Sequence, residues 1–163
     1  MATRMFDIPK QGERPTVLFV DDDAPNRQAF AAAFGRHFHV FTASGLEEAW
    51  SFLATDRVDV LITDQRMPGT PGDELLRLVR ERFPRVRRML MTGYADLQAV
   101  VAAVNQGGIS HYMAKPWDAG ELIEAVNKAY AEIRAEEERK VREQQLMEAN
   151  RQLEFALRQR LLS

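Results

Sequence analysis

Six side chains in this sequence have the types needed to handle a phosphoryl group beside a divalent metal. They are the acids Asp21, Asp22, Asp23 and Asp64, the hydroxyl of Thr92 and the ammonium of Lys115. Each follows a short apolar run: VLFV precedes the acidic triplet, VDVLIT precedes Asp64, RRMLM precedes Thr92 and ISHYMA precedes Lys115. If those runs lie parallel in one sheet, their C-terminal ends share an edge, which is where open α/β sheets build their sites. Magnesium takes oxygen ligands in near-octahedral geometry and keeps several waters, so one or two carboxylates suffice to bind it. Asp22 and Asp64 are the candidates for direct ligands, with Asp21 acting through a water or as a nearby charge. A carboxylate is also a nucleophile that yields an acyl phosphate. Asp64 suits that role because its run is central, between the acids, the hydroxyl and the lysine. In an in-line transfer the protein mostly positions groups and neutralises charge on the equatorial oxygens. The metal takes one oxygen, Lys115 a second, and Thr92 with nearby backbone N–H groups a third; Gly93 adds no side chain to obstruct them. Singly, each residue has a plainer reading: the triplet a solvated turn, Thr92 a strand residue, Lys115 a surface charge. Their order and spacing carry the argument.

The elements that must position these groups are legible in the periodicity. Apolar β-branched runs alternate with amphipathic stretches, the pattern of repeated βα units on a parallel sheet. Strands are predicted near 16–21, 38–42, 58–63, 86–91 and 109–114, and helices near 25–35, 45–54, 72–83, 95–106 and from 118 onward. Pro25 suits a first helical turn. Ser44 reads as an N-cap with Glu47 completing a capping box. Pro84 ends the third helix and Gly107-Gly108 the fourth. The result is an α/β, doubly wound, five-stranded parallel sheet with an extended C-terminal helix. In that helix Leu122, Ile123, Val126, Ala129 and Tyr130 form a stripe suited to packing on a sheet. The stretch RAEEERKVREQQ then becomes charged nearly all round. About 30 residues of helix span roughly 45 Å, too far to bury a face on one domain. Isolated helices are marginal in water, so a partner helix is the natural stabiliser. Leu146, Leu153 and Arg160 fall on one heptad line, and Asn150 with Leu157 on another, a short and imperfect seam. A coiled-coil linker is expected, with a single solvated helix as the alternative. The predicted organisation is a lead-in at 1–14, a domain at 15–131 and the extended helix at 132–163.

Composition narrows the function classes. The chain has 163 residues, 45% of them hydrophobic, which supports a real core. Its longest apolar runs fall short of the roughly 18 residues of a membrane span, and MATRMFDIPKQGERP lacks the apolar stretch of a signal peptide. A cytoplasmic location is the expectation. There are no cysteines, which excludes disulfides and thiolate zinc sites. A formal charge of −2 gives no reason to expect nucleic-acid contact. In the C-terminal segment the seven basic residues from Arg134 to Arg160 are offset by six glutamates. His37, His39 and His111 are scattered and read as structural or surface residues. Trp50, Met67, Met89, Met91 and Met113 read as packing residues.

From about Thr16 to Tyr130 the chain resembles a response-regulator receiver domain of two-component signalling. The matching stretches are FVDDD, ITDQRMPGTPGDELL, LMTGY and HYMAKPW. The combination TGYAD…KPWD is similar to receivers of hydrogenase-type transcriptional regulators and of cyclic-dinucleotide phosphodiesterases. The resemblance implies a flavodoxin-like sheet of order 2-1-3-4-5. It implies Asp64 as phosphoacceptor and Asp21 with Asp22 as the acidic pair. Mg2+ (or Mn2+) would be held by Asp21, Asp22, Asp64 and the backbone carbonyl of Arg66. Thr92 matches the switch hydroxyl, Tyr112 the switch aromatic and Lys115 the lysine beside the phosphoacceptor, with a cis Lys115–Pro116 bond. Arg66 and Tyr94 fall at positions that tune phosphoryl lifetime, and their size predicts slow hydrolysis.

The implied partners are a histidine kinase or phosphotransfer protein, a second copy through the C-terminal helix or the switch face, and a downstream output domain or protein. The switch face comprises the fourth helix, fifth strand and fifth helix. Such a domain is a signalling module rather than an ordinary enzyme, catalysing only its own phosphorylation and dephosphorylation. Trp117 is expected either to shape a partner surface or to pack against the last helix. Two other readings stay open: a haloacid-dehalogenase-type phosphatase using the Asp21-x-Asp23 pair, against which Pro25 counts, and a scaffold independent of phosphorylation. The ending at Leu161-Leu162-Ser163 fits either a stand-alone regulator or the front of a longer one.

Overall fold

The computed structural model describes residues 13–93, 96, 101 and 111–163. Five strands form one sheet: β1 (Thr16–Val20), β2 (His39–Ala43), β3 (Val60–Asp64), β4 (Arg87–Thr92) and β5 (His111–Ala114). The spatial order is β2-β1-β3-β4-β5. Every neighbouring pair is parallel. Helices α1 (Ala24–Phe34), α2 (Leu46–Thr55) and α3 (Gly72–Arg82) connect the first four strands, and a C-terminal helix runs Ala119–Leu162. The expected doubly wound architecture and strand order are therefore present. Of the fourth helix predicted near 95–106, only Asp96 and Val101 are described. The lead-in up to residue 12, Tyr94 and Gly107-Gly108 lie outside the described residues.

The strands are apolar on both faces because helices cover both faces, as parallel sheets require. Successive residues alternate between two cores. Leu18, Val20, Leu61 and Leu90 join Ala49, Leu53, Leu75, Leu76 and Val79 of α2 and α3. Val17, Phe19, Val60, Ile62, Met89, Met91 and Met113 join Phe30 and Phe34 of α1 with Leu122 and Val126 of the C-terminal helix. Leu122 and Val126 are fully buried, each contributing about 2 kcal/mol by removal from water. Trp117 stands edge-on to Phe19 and Phe30 and tilted against Phe34, at centroid distances of 6.2, 5.8 and 6.2 Å. It is therefore a packing residue of this aromatic cluster. Trp50 packs on Phe83, and the four methionines in question are buried.

Two local features refine the sequence reading. Pro25 lies in the first turn of α1, as expected. The cap of α2 is shifted by one residue: Gly45 is the N-cap, and Glu48, not Glu47, reaches back to Ser44. The Ser44 hydroxyl donates to Glu48 Oε1 at 2.7 Å and its backbone N–H to Oε2 at 3.3 Å. Starting the helix one position later places Glu48, rather than Glu47, third in the first turn, where a capping-box glutamate must stand.

At the opposite edge from the acids, buried Asp59 accepts hydrogen bonds from the Thr16 backbone at 2.8 Å and from Arg85 at 3.0 Å. It joins the starts of β1 and β3. By chain contacts the protein divides into Gly12–Tyr130 and a second unit whose described part is Ala131–Ser163. Among the described residues no helix is long and apolar enough to cross a membrane.

Candidate functional site

The alternation that builds the two cores also aims the polar residues at the strand ends. Asp21 continues the parity of Val17 and Phe19, Asp64 that of Val60 and Ile62, and Lys115 that of Met113. All three project on the α1 side of the sheet edge. Lys115 Nζ lies 2.9 Å from Asp64 Oδ1 and 3.6 Å from Asp21 Oδ2. One carboxylate oxygen from each of Asp21, Asp22 and Asp64 lies within 4.8 Å of the others. Hard oxygen donors at that separation suit a divalent cation such as Mg2+. The three acids named for a metal are thus brought together with the lysine. The Lys115–Pro116 bond is cis.

The three acids have different surroundings. Asp21 is 1% exposed, and its Oδ1 accepts the Asp23 backbone N–H at 2.9 Å while Oδ2 accepts Asn26 Nδ2 at 3.1 Å. Arg27 donates to the Asp21 carbonyl at 2.8 Å. Asp22 is exposed. At Asp64, Oδ1 accepts both Lys115 and the Gln65 backbone N–H at 2.9 Å, which leaves Oδ2 without a donor among the described residues. Burial holds the Asp64 carboxyl above its ordinary pKa; Lys115 pulls the other way, and the Asp21 charge adds to the upward push. A desolvated carboxylate beside another acid gains from a cation.

Thr92 ends β4 and is 1% exposed. The ladder continues past the strands: Gln65 N–H donates to Met91 O at 3.2 Å, and Lys115 N–H to Thr92 O at 2.8 Å. This places the residues after β3, β4 and β5 side by side. The Thr92 hydroxyl donates to Gly93 O at 3.3 Å. A Cβ at Gly93 would meet nothing within 4 Å among the described residues. Tyr112 stands 41% exposed on the edge strand β5.

Several contributors were not singled out from sequence. A Cβ on Gly72 would stand 2.2 Å from the Asp64 carbonyl oxygen, so only glycine lets α3 start against the end of β3. Gln65 and Asp73 exchange two hydrogen bonds of 2.9 Å that pin the intervening loop. Within that loop Gly69 has φ +84°, a left-handed geometry that favours glycine. Asn26 and Arg27 fix Asp21. A glycine eight residues after an acid is the one signal a sequence reader had for Gly72; the polar pairs leave no local pattern.

A profile described as "Response regulator receiver domain" matches residues 17–127. The chain belongs to the response-regulator receiver family. The receiver is 40% identical over 117 residues to the hydrogenase transcriptional regulatory protein HoxA of Cupriavidus necator, covering 72% of this chain and 24% of that protein. It is 33% identical over 127 residues to the DNA-binding transcriptional regulator NtrC of Salmonella typhimurium, covering 77% and 27%. Among solved structures, it matches the signal receiver domain of an HD domain-containing protein from Pseudomonas fluorescens Pf-5. That match has a TM-score of 0.70 at 30% identity and covers 76% of this chain and 99% of that one. The receiver spans about a quarter of the length of the curated relatives it matches. Receivers of response regulators are signalling domains, and this one carries the acidic pocket in which the family binds Mg2+.

Proposed function

We propose that this receiver accepts a phosphoryl group on Asp64 from the phosphohistidine of a partner kinase or phosphotransfer protein, and passes the change to an output. The observation that carries the reading is the Asp64–Lys115 contact of 2.9 Å beside Asp21 and Asp22. An Asp64 carboxylate oxygen attacks phosphorus, and the P–N bond breaks with its electron pair going to the imidazole nitrogen. Asp22, Asp64 and the Arg66 backbone carbonyl would hold Mg2+ (or Mn2+), with Asp21 orienting the site. The cation neutralises charge on the phosphoryl oxygens when bound. Lys115 pairs with a second oxygen, and Thr92 leaves the Gly93 carbonyl to donate to a third. Tyr112 then rotates toward the space Thr92 has vacated. The face formed by the fourth helix, β5 and the C-terminal helix changes with it, a population shift between two packings. Arg66 and Tyr94 slow attack by water.

The domain boundary near residue 131 and the linker role of 132–163 belong to the same proposal. Leu146, Leu153 and Leu157 are 59–64% exposed, as a helix awaiting a partner presents them. With Asn150 they make the seam of a parallel homodimer, since a polar residue inside a seam sets register. The output is a further domain or protein, and the setting is the cytoplasm.

The test is chemical trapping of the phosphoryl group after incubation with a labelled phosphodonor and Mg2+. Label is expected on the wild type and on Asp59→Asn, and absent from Asp64→Asn. Label that persists in Asp64→Asn would refute the reading.

A further inference from the structure

An ion pair joins the loop after β3 to Asp96, beyond the end of β4. Arg66 Nε donates to Asp96 Oδ2 at 2.7 Å and Nη2 to Oδ1 at 3.0 Å, a bidentate arrangement in which both groups match geometrically. The Arg66 side chain is otherwise 74% exposed. Asp96 is fixed from behind, because its backbone N–H donates to Gly93 O at 3.1 Å. The same carbonyl accepts the Thr92 hydroxyl at 3.3 Å. A continuous chain of contacts therefore runs from Arg66, two residues past Asp64, through Asp96 and Gly93 to Thr92. The pair also forms part of the wall of a cavity of about 440 Å3, completed by Gln65, Met67, Pro68 and Pro71.

Arg66 is held by Asp96 rather than by Asp64. It nevertheless stands in the loop that follows β3, two residues past Asp64. A phosphoryl group on Asp64 would add up to two negative charges and three acceptor oxygens on that side of Arg66. Guanidinium pairs with such oxygens in the same forked geometry it uses for a carboxylate.

We propose that the Arg66–Asp96 pair is a latch on the unphosphorylated state. It ties Asp96, and through it Gly93, to the phosphoacceptor loop, and a phosphoryl group on Asp64 opens it by competing for Arg66. Asp96 is a positioning residue. It keeps the guanidinium off the site until the phosphoryl group arrives, and its release loosens the Gly93 carbonyl that holds the Thr92 hydroxyl. The proposal rests on Asp64 being the phosphoacceptor.

The experiment uses the full chain, with beryllofluoride and Mg2+ as the probe in calorimetric titration and the rate of label loss from the phosphorylated protein as a second readout. Removing a partly screened bidentate pair is expected to tighten beryllofluoride binding in Asp96→Asn by roughly two- to five-fold, with label loss slowed by a similar factor. Asp96→Glu, which keeps the charge, is expected to stay near wild type. In an Arg66→Gln background, Asp96→Asn is expected to have no effect, because no guanidinium remains to be released. The latch is overturned if Asp96→Asn binds like wild type, or if its effect persists without Arg66. Beryllofluoride binding to Asp64→Asn as tight as to wild type would instead remove the phosphoacceptor reading, and the latch with it.

Discussion

Gly72 illustrates how a residue with no chemistry of its own can control a reacting group. Its missing side chain lets the first turn of α3 lie against the Asp64 carbonyl, with a hypothetical Cβ only 2.2 Å away. The obstruction is backbone, which cannot swing aside as a flexible side chain can. Gly72→Ala should therefore destabilise the protein by about 2 kcal/mol, as overpacking does. It should also slow phosphoryl transfer about tenfold by displacing the nucleophile. Urea unfolding and the rate of labelling measure the two effects. A variant that loses stability but labels at the wild-type rate would show that the shift is absorbed by α3 alone. The acids, Thr92 and Lys115 were legible at this scale because each comes at the end of a short apolar run. The Arg66–Asp96 pair was not: its members lie 30 positions apart in two loops, where no periodicity links them.

Among the elements, α2 offers a pH-dependent test far from the acidic pocket. The Ser44 hydroxyl and backbone N–H hold the Glu48 carboxyl below its ordinary range. A lowered folded-state pKa means the ionised form is the one stabilised. That contribution is fully present above the unfolded value of about 4.3 and is lost as pH falls through the folded value. Thermal unfolding at pH 7 should show Glu48→Gln melting about 1–2 °C below wild type. The two should converge in acid, once Glu48 is protonated in both states. A constant difference across the pH range would mean that the glutamine loses packing rather than charge. Sequence alone placed this cap one residue early, because Ser44 followed by Glu47 fits the capping-box spacing as written. The helix starts after Gly45, and backbone geometry decides which glutamate faces back. The existence of the five strands, of α1, α2 and α3 and of the C-terminal helix, by contrast, followed directly from the apolar periodicity.

For the whole molecule the open question is association. The C-terminal helix leaves Leu146, Leu153, Phe155, Leu157, Leu161 and Leu162 exposed. A two-stranded pairing through Leu146, Asn150, Leu153 and Leu157 buries two copies of each leucine. Leu153→Glu therefore removes two buried leucines per dimer, each worth about 2 kcal/mol, which corresponds to a loss of roughly a thousandfold in affinity. Sedimentation equilibrium should find wild type dimeric and Leu153→Glu monomeric at the same concentration. The melting of the 12–130 unit should be unchanged, because Leu153 belongs to the other unit. Wild type that remains monomeric throughout would favour the single solvated helix.

Apolar alternation, breaker residues and the four strand-end polar groups were enough to specify the layered α/β fold, and to nominate Asp21, Asp22, Asp64, Thr92 and Lys115. These signals are local, set by pleat and helix repeat, so they can be read along the chain. Tertiary structure alone decided that Trp117 packs on Phe19, Phe30 and Phe34, that Asn26 and Arg27 fix Asp21, and that Arg66 is bound by Asp96. Those contacts depend on which loops and helices end up adjacent. That adjacency follows from how the elements pack on the sheet rather than from any pattern within one segment.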